Sequence, residues 1–330
     1  MLLFRRIYKP FHLSIKSYQV TVVGGASDVG QTICLLLRTE PSIKKLVLHD
    51  TIEQTPGVLL DLSHIPSKSS IQAYSGEETL DHAIKESDLI IAVGGMQRQP
   101  GLKKKALITA NTKFMKSLSV RVAKLNPMPF VGIVTEPVNS MVPMVAEIMR
   151  NYGDSDSKKL CGITGVDAIR AQSIYAIDNN LNPHDCNVPV IGGHSAKTII
   201  PLLTQTKPLT KINEKLMQEF TEKVRKCDDK ITSDKKGFAP TLSIAYSVLI
   251  FTRGILNALG GTPVKLNAFV ENNDFGTSYF AGLVSVGPNG FGEMQRYTNL
   301  SNYECYLLER TITQLRKDVF KGKRILELAE

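Results

Sequence analysis

The first 160 residues alternate short apolar runs with stretches of mixed polarity at helical period. Tyr18 to Gly25 (YQVTVVGG) is a β-rich run that predicts a buried strand, and Gly30 to Arg38 continues it as a helix. Lys45 to Asp50 (KLVLHD) predicts a second strand, and Asp88 to Gly95 (DLIIAVGG) and Phe130 to Thr135 (FVGIVT) two more. Between the last two, Lys113 to Leu125 reads as a crossover helix. Strands and helices in this alternation pack as a doubly wound α/β domain, whose parallel sheet binds ligands beyond the carboxyl ends of its strands. From about Cys161 the texture changes to longer helices, a lysine-rich stretch and glycine-rich strands, which predicts a second domain. Leu308, Ile312, Leu315 and Val319, spaced four, three and four apart, predict a terminal amphipathic helix. The expected division is a basic extension over 1–17, a sheet domain over 18–160 and a second domain over 161–330.

At 330 residues and 42% hydrophobic composition, the chain can bury a full core. No run of about 18 uninterrupted apolar residues occurs, so no membrane span is expected. Five cysteines (Cys34, Cys161, Cys186, Cys227, Cys305) and six histidines show neither a C-x-x-C pair nor zinc-ligand spacing. Neither a disulfide framework nor a metal site is expected, and a reducing compartment is the simpler setting. Arg5, Arg6, Lys9 and Lys16 account for four of the nine net positive charges. Their segment is apolar, basic and free of acid up to Asp28, the character of a mitochondrial transit peptide. A disordered basic extension is the other reading of that composition. The remaining positive charge suits anionic small molecules and, by itself, a weak nucleic-acid surface equally well. No nucleic-acid-binding motif or aromatic stacking pattern accompanies it.

The first strand runs straight into Gly24-Gly25-Ala26-Ser27-Asp28-Val29-Gly30 and a helix. A dinucleotide site needs glycine at the tight turn, little side chain where backbone approaches the pyrophosphate, and glycine where helix packs on strand. Gly24 and Gly30 fill the outer roles, while Ser27 holds the middle position with Asp28 after it. That acid repels a pyrophosphate if it points inward, or serves the helix from outside if it does not. Asp50 ends the second strand, placed to accept the ribose hydroxyls of NAD in preference to NADP.

Three further clusters carry the chemistry that hydride transfer to a keto acid requires: an acid/base, its orienting partner and cations for carboxylates. His194 closes the apolar run Val190-Ile191-Gly192-Gly193-His194. Asp167 and Arg170, three apart, share one face of a helix, so that one can orient an imidazole and the other grip a carboxylate. Gly94 to Gly101 (GGMQRQPG), followed by Leu102 and three lysines, reads as a mobile, cationic lid. Each cluster has a plainer reading alone: a core histidine, a surface pair, a solvated lysine face.

Together, GGASDVGQ, TPGVLLDLSHI, RQPG, EPVNS, VDAIRA, VIGGHSAKTIIPL and TLSIAY occur in order over residues 18 to 322, and in this the chain resembles the mitochondrial-type members of the malate/lactate dehydrogenase family. The resemblance implies a Rossmann-type sheet followed by an α+β substrate-binding and catalytic domain, NAD as cofactor and reversible oxidation of (S)-malate to oxaloacetate. It also implies a homodimer, the mitochondrial matrix and the tricarboxylic acid cycle. By the same resemblance, His194 exchanges the proton, Asp167 orients it, Arg170 clamps the carboxylate beside the reacting carbon and Arg98 binds the distal one. Asn111 and Asn139 match family asparagines near cofactor and substrate.

Four positions depart from the family pattern. Ser27 and Asp28 alter the phosphate loop, Lys104 stands where a second lid arginine is usual, and Glu136 replaces an asparagine that touches substrate and nicotinamide. Lysine keeps the charge but not the bidentate fork. A carboxylate at 136 removes a donor and repels an anionic substrate. Two function classes therefore stand: a dehydrogenase, favoured by the intact Asp167/His194 pair with Arg98 and Arg170, or a structural or interaction subunit of a mitochondrial assembly, favoured by the four substitutions.

Overall fold

The computed structural model describes residues 17–96, 104–153, 157–210 and 213–325. Strand β1 (Tyr18–Val23) is buried at all six positions and lies between β2 (Ile43–Asp50) and β4 (Leu89–Ala92), both parallel to it. Outward from β2 lies β3 (Ser70–Ser75), and outward from β4 lie β5 (Phe130–Ile133) and β6 (Leu160–Ile163), so six parallel strands run in the order β3-β2-β1-β4-β5-β6. A sheet covered on both faces needs apolar side chains on both, which is why the inner strands β1, β2, β4 and β5 are rich in Val, Ile and Leu.

Helix α1 (Asp28–Arg38) follows β1, α2 (Thr55–Ser63) follows β2, and the short α3 (Leu80–Ile84) follows β3. Helix α4 (Lys104–Val122) joins β4 to β5, and α5 (Val138–Tyr152) joins β5 to β6. The crossover helix thus starts nine residues before the expected Lys113 and ends three before Leu125. The strands end before the predicted Gly25 and Gly95, because Gly24 and Gly95 turn the chain at φ of +93° and +92°.

The second half begins with α6 (Gly165–Asp178), then β7 (Val190–Gly192), β8 (Ile199–Pro201), α7 (Glu214–Arg225), α8 (Cys227–Asp234) and α9 (Leu242–Leu259). It closes with β9 (Val264–Glu271), β10 (Tyr279–Gly287), β11 (Gly290–Met294) and α10 (Asn302–Arg324). Strand β9 pairs antiparallel with β6 and extends the sheet as β9-β10-β7-β8, with β11 on β10. Helix α9 is long and apolar enough to cross a membrane by length and composition, but 56% of it is buried, packed on α1 and β9. It is a core helix. The predicted terminal helix is α10, begun by a capping box of Ser301 and Glu304. Its buried stripe is Leu307, Thr311, Leu315 and Val319, with Leu308 and Ile312 half-buried beside it.

Candidate active site

The chain lays β2 and β3 on one side of β1 and β4 to β6 on the other, so the direction of winding reverses between β1 and β4. Gly24 leaves β1 at this crevice, and a Cβ on it would overlap the backbone of Gly94. A Cβ on Gly30 would overlap the carbonyl of Gly24. The two glycines therefore hold the turn and the helix-on-strand contact that the loop needs.

Ser27 caps α1: its Oγ accepts from the Gly30 amide at 3.1 Å and donates to the Gly24 carbonyl at 2.7 Å. Asp28, the first residue of α1, is exposed. Its carboxylate serves the positive end of the helix from the solvent side. Among the described residues, the Asp28 and Val29 amides have no acceptor in this first turn. Asp50 accepts from the Ala26 amide at 3.0 Å, which fixes it beside the loop. With Gly24, Gly95, Lys113 and Phe114 it lines a cavity of about 550 Å³. A loop that only glycine can close, free amides at a helix start and a carboxylate at the next strand end fit a dinucleotide, with phosphate at the amides and ribose at Asp50.

Two of the expected contact residues are engaged in hydrogen bonds with the chain itself. Asn111 is fully buried: its Oδ1 accepts from the Met96 amide at 2.6 Å, and its Nδ2 donates to the carbonyls of Glu136 at 2.6 Å and Met96 at 3.2 Å. Through these bonds it ties the exit of β4 to the exit of β5. Asn139 is also buried, accepting from the His194 amide at 2.9 Å and donating to Thr198 Oγ1 and Asp318 Oδ2, both at 3.1 Å. It holds the backbone of the histidine loop and, with His194, also lines a cavity of about 250 Å³.

Asp167 and Arg170 lie in the first two turns of α6, both buried. His194 follows β7, and its Nδ1 lies 2.7 Å from Asp167 Oδ2. Burial alone would push the imidazole below its usual value. The Asp167 carboxylate, with Asp228 and Glu136 adding to it, outweighs burial and raises His194 to about 9. The other ring nitrogen is left for the pocket, a cavity of about 210 Å³ lined by Leu107, Ile108, Glu136, Pro137, His194 and Asp228. The predicted trio of His194, Asp167 and Arg170 comes together, but only His194 lines the cavity; Asp167 is bonded to its ring, and Arg170, buried, lies 4.0 Å from Asp167. Arg98 lies outside the described residues, and so does the side chain of Lys104, although Lys104 begins α4.

Asp228, in the first turn of α8, had no place in the sequence reading. Its Oδ1 lies 2.7 Å from Arg170 Nη2, an ion pair set off the N–H axis. Ser243 Oγ shares that nitrogen at 3.3 Å, and Arg170 Nε is buried without a hydrogen-bond partner. One oxygen or nitrogen each from Glu136, His194 and Asp228 fall within 4.8 Å of one another. Asp228-Asp229 carries no motif; a double acid before a helical stretch reads simply as a helix start.

Residues 18–162 match the lactate/malate dehydrogenase NAD-binding domain, and residues 164–326 match the lactate/malate dehydrogenase α/β C-terminal domain. The chain belongs to the lactate/malate dehydrogenase family. The malate dehydrogenases of this family interconvert malate and oxaloacetate with NAD. Malate dehydrogenase 2, mitochondrial, of Arabidopsis thaliana is 34% identical over 94% of this chain and 91% of its own length. The malate dehydrogenase of Vibrio vulnificus is 35% identical over 92% of this chain and 98% of its own. The crystal structure of Cryptosporidium parvum malate dehydrogenase superposes with a TM-score of 0.79 over 93% of this chain and 99% of that one, at 24% identity. It shares the fold of the Rossmann-like sheet and the C-terminal α/β domain, and NAD is the family's cofactor.

Proposed function

We propose that this chain reversibly oxidises (S)-malate to oxaloacetate with NAD. The observation that carries the reading is the buried Asp167–His194 pair, 2.7 Å apart, whose histidine lines a pocket that shares Glu136 and Asp228 with the cleft lined by Val29 and Gly94. His194 takes the hydroxyl proton in oxidation and returns it in reduction, and Asp167 fixes its tautomer and steadies its charge. Bound NAD supplies the hydride acceptor. Arg170 offers a guanidinium to the carboxylate beside the reacting carbon, and Arg98 and Lys104 are assigned to the distal carboxylate and the carbonyl. Glu136 stands against this anion, and it lowers the rate without removing the acid/base pair.

The relatives named mitochondrial and the acid-free basic leader Met1 to Lys16 support a mitochondrial matrix setting. A homodimer is supported by α9, whose Leu242, Tyr246 and Ile250, four apart, are exposed on a helix packed against α1. Neither the fold nor the relatives support the alternative of a purely structural subunit. The deciding experiment is an NADH absorbance assay with oxaloacetate on the wild type and on His194→Asn. Turnover by the wild type falls at least about a hundredfold in the variant, the lower range of acid/base contributions. Equal rates in the two proteins refute the mechanism.

A further inference from the structure

The guanidinium assigned to the substrate is already held by an acid of the chain itself. Asp228 Oδ1 lies 2.7 Å from Arg170 Nη2, with the arginine side chain 8% exposed and the aspartate 30%. Two acids, Asp228 and Asp229, occupy the first turn of α8, where either carboxylate alone complements the helix end. Asp228 turns instead into the pocket, within 4.8 Å of the donor atoms of Glu136 and His194. An incoming carboxylate therefore meets two carboxylates at the place where it needs a cation.

We propose that Asp228 is an internal competitor for the substrate: it occupies the carboxylate position on Arg170, so that the carboxylate beside the reacting carbon binds there only by displacing it. The inference rests on the oxidoreductase reading of the same pocket. The existing pair is a weak occupant. A single oxygen meets a single nitrogen off the N–H axis, and Nε remains unpartnered, so the two-pronged geometry that binds carboxylates best is unfilled. A substrate carboxylate can take that geometry, but only against the aspartate that it displaces. The displaced charge opposes substrate and transition state alike. Removing it therefore lowers KM and leaves kcat little changed, whereas a group facing the reacting carbon, as Glu136 does in this reading, acts on kcat.

The test compares wild type with Asp228→Asn and Asp228→Ser, both good residues for a helix start. Full-length protein is used, with NADH present and EDTA added so that no cation bridges the carboxylates. Calorimetry measures binding of malonate, a dicarboxylate that cannot react, and steady-state assays measure KM and kcat for oxaloacetate. Both variants bind malonate about ten- to a hundredfold more tightly than wild type, the span of a charge-assisted hydrogen bond. Their oxaloacetate KM falls by a similar factor. Malonate affinity unchanged or weakened in both variants overturns the proposal. Tighter malonate with no oxaloacetate turnover in any of the three proteins supports the role of Asp228 and refutes the assigned reaction instead.

Discussion

With Asp167 2.7 Å from its Nδ1, His194 keeps its proton up to about pH 9. Reduction of a keto acid draws a proton from the imidazolium, and oxidation of a hydroxy acid delivers one to the neutral ring. In the free enzyme, kcat/KM for oxaloacetate reduction should stay level to about pH 9 and fall above it, while that for malate oxidation climbs toward the same pH. Paired pH–rate profiles check this, and a common midpoint near the ordinary histidine value of about 6.5 would mean that the pair does not form in solution. Stability moves with the same group. Its pKa is raised on folding, so its contribution is full below the unfolded value and is lost as pH rises through about 9. Glycines beside His194 and the three-residue spacing of Asp167 and Arg170 marked these residues as candidates, but each had a plainer reading alone, and their roles came from the ordered motifs of the family resemblance. Asp228 was not, because its effect comes from a long-range approach to Arg170 across 58 residues of chain that no local pattern encodes. Asn111 and Asn139 were found as positions, and the hydrogen bonds by which they hold the site's backbone are long-range contacts that no local pattern encodes.

At the level of elements, four of the six parallel strands were visible as apolar runs. Strand β3 (SIQAYS) is an edge strand with no fully buried position, and β6 (LCGI) is four residues long, so neither has the length or hydrophobicity to stand out. The terminal helix was visible too, but its buried stripe runs through Thr311, a polar residue that shifts the pattern by one position in a reading based on apolar side chains. That helix matters to the site because α10 lies on α5, where Asp318 meets Asn139 and the Asp318 carbonyl accepts from Ser140 Oγ at 2.9 Å. Gly322 permits the approach: a Cβ there would overlap the carbonyl of Ser140. Alanine is favoured over glycine in a helix by about 1 kcal/mol, yet overpacking at such a contact costs about 1–3 kcal/mol. Gly322→Ala should therefore lower the melting temperature by a few degrees, read by calorimetry or circular dichroism. A higher melting temperature would show that α10 has room to move off α5.

For the whole molecule, the continuous sheet explains how one half serves the other. Antiparallel pairing of β9 with β6 carries the parallel layer into the second half, so α6, which starts directly after β6, and the loop after β7 present Asp167 and His194 beside the dinucleotide crevice. Helix α9 braces this arrangement from the opposite direction. Its inner face is buried, with Val248, Phe251 and Ile255 in the core, while Leu242, Tyr246 and Ile250 on its outer face are 71%, 49% and 39% exposed. Leu35 on α1, which packs on α9, and Leu60 on α2, which packs on α1, are 49% and 61% exposed. A stripe of large apolar side chains at four-residue spacing is helix-packing surface, and in the proposed homodimer a second copy of the same face would meet it by two-fold symmetry. Light scattering should give twice the 36.4 kDa chain mass at micromolar concentration. Replacing Tyr246 and Ile250 together by Glu places four unpaired charges, two from each copy, in the centre of that contact, a cost of several kcal/mol per buried ion. The variant should run as a monomer while retaining the Asp167–His194 pair, which belongs to a single chain. A wild-type mass equal to one chain would remove the dimer, and an undisturbed dimer in the variant would move the interface to another face.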